Sequence, residues 1–151
     1  MLMRSPLARE RHRPAGFIKP CQPTLSDKAP SGPLWVHEIK HDGYRIIACK
    51  SGGQVRLWSR NGRDWSNEFL AVTEALRRLR ADDIVLDGEA MAHCPDGLPD
   101  FHGLRSGDDG AAACLYAFDL LRLNGEDRRP LALEERRARW DGRETARSLC
   151  C

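Results

Sequence analysis

Glu38-Ile39-Lys40-His41-Asp42-Gly43-Tyr44-Arg45 packs four charged side chains and a turn glycine into eight residues. Such a cluster serves as a solvated surface turn, or it presents Lys40 as a nucleophile. An ammonium cannot attack, so Lys40 would first lose a proton despite a reference pKa of about 10.4. Desolvation, or a neighbouring cation such as Arg45 or a metal, would lower that value. Glu38 or Asp42 close by would raise it unless metal-bound. Asp87-Gly88-Glu89, after the apolar Ile84-Val85-Leu86, is a poor strand former. It reads as a bulge at a sheet edge, or as hard oxygen ligands for Mg2+ that face a nucleotide, with Gly88 allowing close backbone approach. Tyr116-Ala117-Phe118-Asp119 lies in an apolar run; its aromatics read as core, or as a ring at a pocket edge on which a base stacks. Ser59-Arg60-Asn61-Gly62-Arg63 is a turn with surface arginines or a loop that touches phosphate.

The elements that must position these groups follow from periodicity. Phe17 to Pro33, with four prolines, is irregular. Leu34 to Lys40 alternates with period two, which predicts a strand and puts Glu38 and Lys40 on one face. A turn at His41-Asp42-Gly43 leads into a second strand, Tyr44 to Lys50. Ser51-Gly52-Gly53 is a hairpin turn, and Gln54 to Ser59 is the return strand. After the Asn61-Gly62 turn, Asp64 or Ser66 is expected to cap a helix to about Arg80, with Trp65, Phe69, Val72, Leu76 and Leu79 on its apolar face. Asp83 to Ala92 reads as a strand and Cys94 to Gly97 as a turn. A short helix around Phe101 to Arg105, a loop over Ser106 to Gly110 and a long apolar strand from Ala112 to Leu123 follow, closed by Asn124-Gly125. Leu133 to about Trp140 is a charged amphipathic helix. Hairpins with two or three helices, without βαβ alternation, predict an α+β fold: a largely antiparallel sheet with flanking helices.

Composition sets the bounds. A chain of 151 residues, 41% hydrophobic and 30% charged, is one domain's worth with enough apolar side chains for a core. Its apolar runs are far shorter than the roughly 20 residues that span a bilayer. The arginine-bearing start lacks the apolar segment of a secretory signal, so a soluble, cytoplasmic protein with no membrane partner is expected. Net charge, +2 overall, splits into +8 through Arg80 and −6 from Ala81 onward, as suits a site for polyanions. Of 24 basic residues only Lys19, Lys28, Lys40 and Lys50 are lysines, which singles out a lysine inside a motif. None of the six cysteines forms a C-x-x-C pair, so neither zinc nor a disulfide framework is favoured, and four of them are expected as buried or neutral thiols.

In order, these segments resemble the ATP-dependent DNA ligase family of the covalent nucleotidyltransferases. Glu38 to Arg45 is similar to the motif with the nucleotidyl lysine, and Leu57-Trp58-Ser59-Arg60-Asn61-Gly62 to the next. Leu86-Asp87-Gly88-Glu89 is similar to the third, and Leu115 to Leu121 to the aromatic one. Phe17-Ile18-Lys19-Pro20 to Gly32, Pro99-Asp100-Phe101 and Leu123-Asn124-Gly125-Glu126 fit as well, the lead-in being of the bacterial end-joining type. The resemblance implies an adenylation domain of the ATP-grasp-like ligase fold over residues 17–140, after a flexible basic lead at 1–16 and before an unmatched tail at 141–151. It implies that Lys40 attacks the α-phosphate of ATP and carries AMP, which then passes to the 5′-phosphate of nicked or broken double-stranded DNA for sealing. Glu38 would contact adenine, Phe118 would stack on it, and Arg45 and Arg60 would lie near ribose and phosphates. Glu89 would bind the ribose or the divalent metal, Mg2+.

Two later motifs of the family, an acidic Glu-Gly element and a Lys-x-Lys pair, have no counterpart: no Glu-Gly follows Phe118 and no lysine follows Lys50. Nor is there room for the family's oligonucleotide-binding-fold domain. The expectation is therefore a truncated adenylation domain of a DNA repair and recombination ligase. The alternative is a non-catalytic remnant, or one part of a split ligase that binds DNA or a complementing chain.

Overall fold

Among the described residues, regular structure begins with the Tyr44–Lys50 alternation, which runs into a two-glycine turn. The computed structural model describes residues 16–38, 42–93, 100, 104, 113–141 and 148–149. Strand β1 (Tyr44–Ser51) and strand β2 (Gln54–Ser59) form a hairpin, paired from Ile46–Ser59 to Ser51–Gln54. Gly52 and Gly53 join them at φ 56° and 79°, a pair of left-handed residues that only a glycine turn adopts readily. Helix α1 (Leu70–Arg78), β3 (Asp83–Met91), β4 (Cys114–Leu123), β5 (Glu126–Asp127), helix α2 (Leu133–Asp141) and β6 (Ser148–Leu149) follow. The sheet runs β2-β1-β3-β4-β5, β6 also pairs with β4, and every pairing is antiparallel. This is the expected α+β architecture.

Period two divides the sheet into two faces. Ile46, Leu57, Leu86 and Leu120 lie on one, packed with Phe69, Val72 and Leu76 of the α1 segment. Each such side chain contributes roughly 1.5–3 kcal/mol by leaving water. Ile47, Cys49, Val85 and Leu121 point the other way, where Phe17, Ile18 and Trp58 cover them in part. One lysine intrudes on the helix side. The Lys50 ammonium, buried, donates to the Arg77 and Leu79 carbonyl oxygens at 2.9 and 2.6 Å, satisfying the end of α1 with a cation.

Four expectations change. Residues 34–38 of the expected Leu34–Lys40 strand are exposed coil; Trp35 closes a turn onto the Gly32 carbonyl, and an extended segment becomes a strand only where a partner backbone pairs with it. Neither Asp64 nor Ser66 caps α1, whose first flanking residue is Phe69. Asp64 instead accepts from the Ser66 amide and hydroxyl at 2.9 and 2.5 Å, and Ser66 Oγ accepts from the Leu57 amide, so both are spent on a turn that precedes the helix. Asp87-Gly88-Glu89 does mark a bulge, but in a central strand, not at an edge. Cys114, expected as a thiol, is disulfide-bonded, whereas Cys21 and Cys49 are free. The expected helix at Phe101–Arg105, the loop Ser106–Gly110 and nearly all of the lead and tail lie outside the described residues.

Candidate active site

The candidate residues gather on the less covered face, at the end of the sheet where β1 begins. Register puts Arg45 opposite Glu89 and Ile47 opposite Asp87. Arg45 donates to Asp87 through a two-pronged fork, Nε to Oδ1 at 2.5 Å and Nη2 to Oδ2 at 2.8 Å. Arg45 is 29% exposed and Asp87 only 6%, which explains how the pair titrates. Burial pushes the Asp87 carboxyl above its usual range, with the charge of Asp119 adding to it, although Arg45 pulls it back. For Arg45, burial pulls the guanidinium down, but the bond to Asp87 and the carboxylates nearby raise it overall.

A bulge brings the aromatic residue to this group. Asp119 pairs with Asp87 and Ala117 with Gly88, so Phe118 is one residue too many in β4. The insertion turns Phe118 and Asp119 to the same side, with Ala117 and Leu120 in the helix-side core. The Arg45 guanidinium carbon lies 4.5 Å from the centroid of the Phe118 ring, a cation–π contact. Gly88 permits the close pairing of β3 with β4 at the bulge: a Cβ there would come within 2.6 Å of the Tyr116 carbonyl oxygen.

Glu89 Oε1 accepts from the Gly43 amide at 3.2 Å and so holds the start of β1. Tyr116, opposite Glu89, bonds through its hydroxyl to His93 Nε2 at 3.1 Å. Helix α2 closes one side. Arg136 forks onto Asp119, both bonds 2.7 Å, and also donates to the Leu131 carbonyl. Arg137 donates from Nε to the Phe118 carbonyl oxygen at 3.1 Å and pairs through Nη2 with Glu38.

Of the sequence candidates, then, the fold brings together Arg45, Glu89 and Phe118, with Glu38 joined to them through Arg137. Arg60 is exposed in the turn after β2, one residue beyond the Ile46–Ser59 pair. Lys40 lies outside the described residues, two positions past Glu38. Asp87, considered as a metal ligand beside Glu89, has both oxygens on Arg45 instead, because a buried carboxylate needs a partner. Among the described residues no group of three or more His, Cys, Asp or Glu side chains is placed to hold a metal ion. Sequence reasoning missed the Asp119–Arg136 and Glu38–Arg137 pairs. The one available signal was Asp119 itself, an acid inside an apolar strand that had to find a cation.

The antiparallel sheet that carries this cluster on its inner strands matches known proteins. The family model for the ATP dependent DNA ligase domain matches residues 21–141. The chain is 39% identical over 128 residues to the multifunctional non-homologous end joining protein LigD of Pseudomonas aeruginosa, covering 83% of this chain and 15% of that protein. It is 34% identical to the LigD of Mycobacterium tuberculosis over 115 residues, 76% of this chain and again 15% of the relative. Its fold matches the crystal structure of the ligase domain of M. tuberculosis LigD with a TM-score of 0.62 and 35% identity, over 70% of this chain and 35% of that one. A mycobacterial DNA ligase D complexed with ATP and MES matches with a TM-score of 0.60 and 33% identity, over the same shares. The chain belongs to the ATP-dependent DNA ligase domain family, and its fold is that of the LigD adenylation domain. It spans about 15% of the length of the first LigD relatives.

Proposed function

We propose that residues 17–140 carry the nucleotide-activating part of ATP-dependent DNA strand joining, in repair and recombination. The carrying observation is the convergence of Arg45, Glu89 and Phe118 on one sheet face, with Glu38 tied to the Phe118 backbone. On this reading neutral Lys40 attacks the α-phosphate of ATP, the bond to pyrophosphate breaks, and AMP is held on Nζ. AMP then passes to a 5′-phosphate of nicked or broken double-stranded DNA, and a 3′-hydroxyl displaces it. Phe118 offers a ring for adenine, Glu38 an acceptor for its amine, and Arg45 and Arg60 donors for ribose or phosphates. Glu89 is the carboxylate offered to the ribose or to a divalent metal such as Mg2+, which would offset charge on the phosphates.

A second reading is favoured by the share of the first LigD relatives that the chain covers, 15% of their length. The triphosphate then relies on arginines, or on a complementing ligase chain, and the chain acts as a nucleotide- or DNA-binding part of a split ligase. No helix among the described residues is long and apolar enough to cross a membrane, and a cytoplasmic location is consistent with both readings.

Incubation with α-labelled ATP and Mg2+, beside Lys40→Ala, tests the proposal. The expected result is acid-stable protein–AMP that is slow to form and absent from the variant. Label retained in Lys40→Ala would refute the assignment of the nucleophile. ATP affinity without label would favour the second reading.

A further inference from the structure

We infer that Arg137 is a positioning residue for base recognition, one guanidinium that sets Glu38 against the Phe118 backbone. The inference rests on the nucleotide-binding reading above. Arg136 already docks α2: its fork on Asp119 leaves both side chains 15% exposed, and it reaches the Leu131 carbonyl too. Arg137, the next residue, looks elsewhere. Its Nε holds the backbone oxygen of Phe118 at 3.1 Å, while its Nη2 holds the Glu38 carboxylate. Arg137 is 26% exposed and Glu38 43%, so this pair is no core contact.

The chemistry explains what such a bridge achieves. A half-exposed glutamate samples several rotamers, and a ligand that needs its carboxylate must freeze them. A planar guanidinium that grips both Glu38 and the bulge freezes them beforehand, which a lysine's point charge cannot do at two places. A carboxylate has about four acceptor positions, so one bond from Arg137 leaves others for an incoming amine. Adenine presents an amine at the position where guanine presents an oxygen, so a fixed Glu38 accepts from one and repels the other.

The test measures binding of adenosine, AMP and inorganic tripolyphosphate by calorimetric titration to the whole chain. Arg137→Ala, Arg137→Lys, Glu38→Gln and the Arg137→Ala/Glu38→Gln double variant are compared with it, and melting curves check that each is folded. Arg137→Ala is expected to weaken adenosine and AMP about tenfold, the scale of one charge-assisted hydrogen bond, and to leave tripolyphosphate unchanged. The alanine change should add nothing once Glu38 is Gln, and Arg137→Lys should fall between Ala and the parent. A general structural defect would move tripolyphosphate as well. Unchanged adenosine binding in folded Arg137→Ala or Arg137→Lys overturns the inference. So does equal weakening of adenosine and tripolyphosphate, or strict additivity with Glu38→Gln. If the parent chain binds neither AMP nor adenosine, the nucleotide reading itself falls, and the inference with it.

Discussion

Leu86 and Asp87 are neighbours at the centre of the sheet, yet they answer to different physics. Leu86 joins Ile46, Leu57 and Leu120 on the face that α1 covers, where filled volume decides. Asp87 faces the thinner side, where a small apolar cluster gives way to a row of arginine–carboxylate forks, Arg45 on Asp87 and Arg136 on Asp119. The first face supplies stability in proportion to buried area. The second holds charges whose burial works against stability, as the raised Asp87 carboxyl shows. What the second face gains is fixed geometry: a fork admits one arrangement of two planar groups, and the Phe118 ring is set against it.

The largest effect should come from the covered face. Leu86→Ala should cost about 3–5 kcal/mol in urea unfolding, for lost transfer energy and the cavity left behind. Arg45→Ala should cost less, about 2 kcal/mol, since it strands a buried carboxylate but removes a partner that keeps some solvent. Asp87 sharpens the contrast. In the unfolded chain it ionises near 3.8, and in the folded chain only at higher pH. Folding therefore holds its proton more tightly, and its contribution to stability falls as pH rises from 3.8 through the folded value. Replacing both partners, Arg45→Met with Asp87→Leu, should recover most of the stability lost in Arg45→Ala, whereas nucleotide binding, on the proposed reading, should be weakened in both variants. If the double variant is as unstable as the single one, the second face is a stabilising element after all.

The same contrast decides what was legible in the sequence. The helix-side face was, because its rule is periodicity: the Tyr44–Ser59 hairpin, the β3 and β4 runs and the Phe69, Val72, Leu76 spacing needed only side-chain order. The site face was legible in part. Arg45, Glu89 and Phe118 lie in segments that each had a bland local reading, and only the resemblance joined them as a candidate site. What brings them together is long-range, the unpaired Phe118 in β4 and the α2 arginines that reach back to Asp119 and Glu38. No local pattern announces a bulge whose necessity lies in the partner strand. Local competition explains the misplaced α1 start, since Asp64 and Ser66 found each other and Leu57 before any helix amide. The alternation of Leu34 to Lys40 was real, but residues 34–38 have no partner backbone to pair with among the described residues.

Lys50 breaks the division and so tests it from the other side. It is a charge on the volume-ruled face, held there by two carbonyls at the end of α1. Lys50→Met keeps the stem and loses the ammonium. The expected cost is about 1–2 kcal/mol, from two carbonyls at the helix end that lose this donor and from the lost cation there. The loss should be confined to α1, read as faster amide exchange over its last turn with exchange in β3 unchanged.

At neutral pH Cys49 provides the smallest effect, and on titration it gives the cleanest reading of how dry the second face is below the charged row. Burial, resisted by Arg122 and helped by Asp83, pushes its thiol from 9.0 up to about 11. The folded chain keeps this proton where the unfolded chain releases it, so stability must fall as pH rises from 9.0 and level off beyond about 11. Compared with Cys49→Ala, which has no thiol to titrate, the parent should lose on the order of 1 kcal/mol by pH 10. At pH 8, iodoacetamide followed by peptide mapping should find the exposed Cys21 modified and Cys49 spared. Equal labelling would mean that water reaches Cys49 as freely as Cys21. The cover that Phe17 and Ile18 give to this face would then be too loose to account for the raised thiol, and the contrast between the two faces would be one of charge alone.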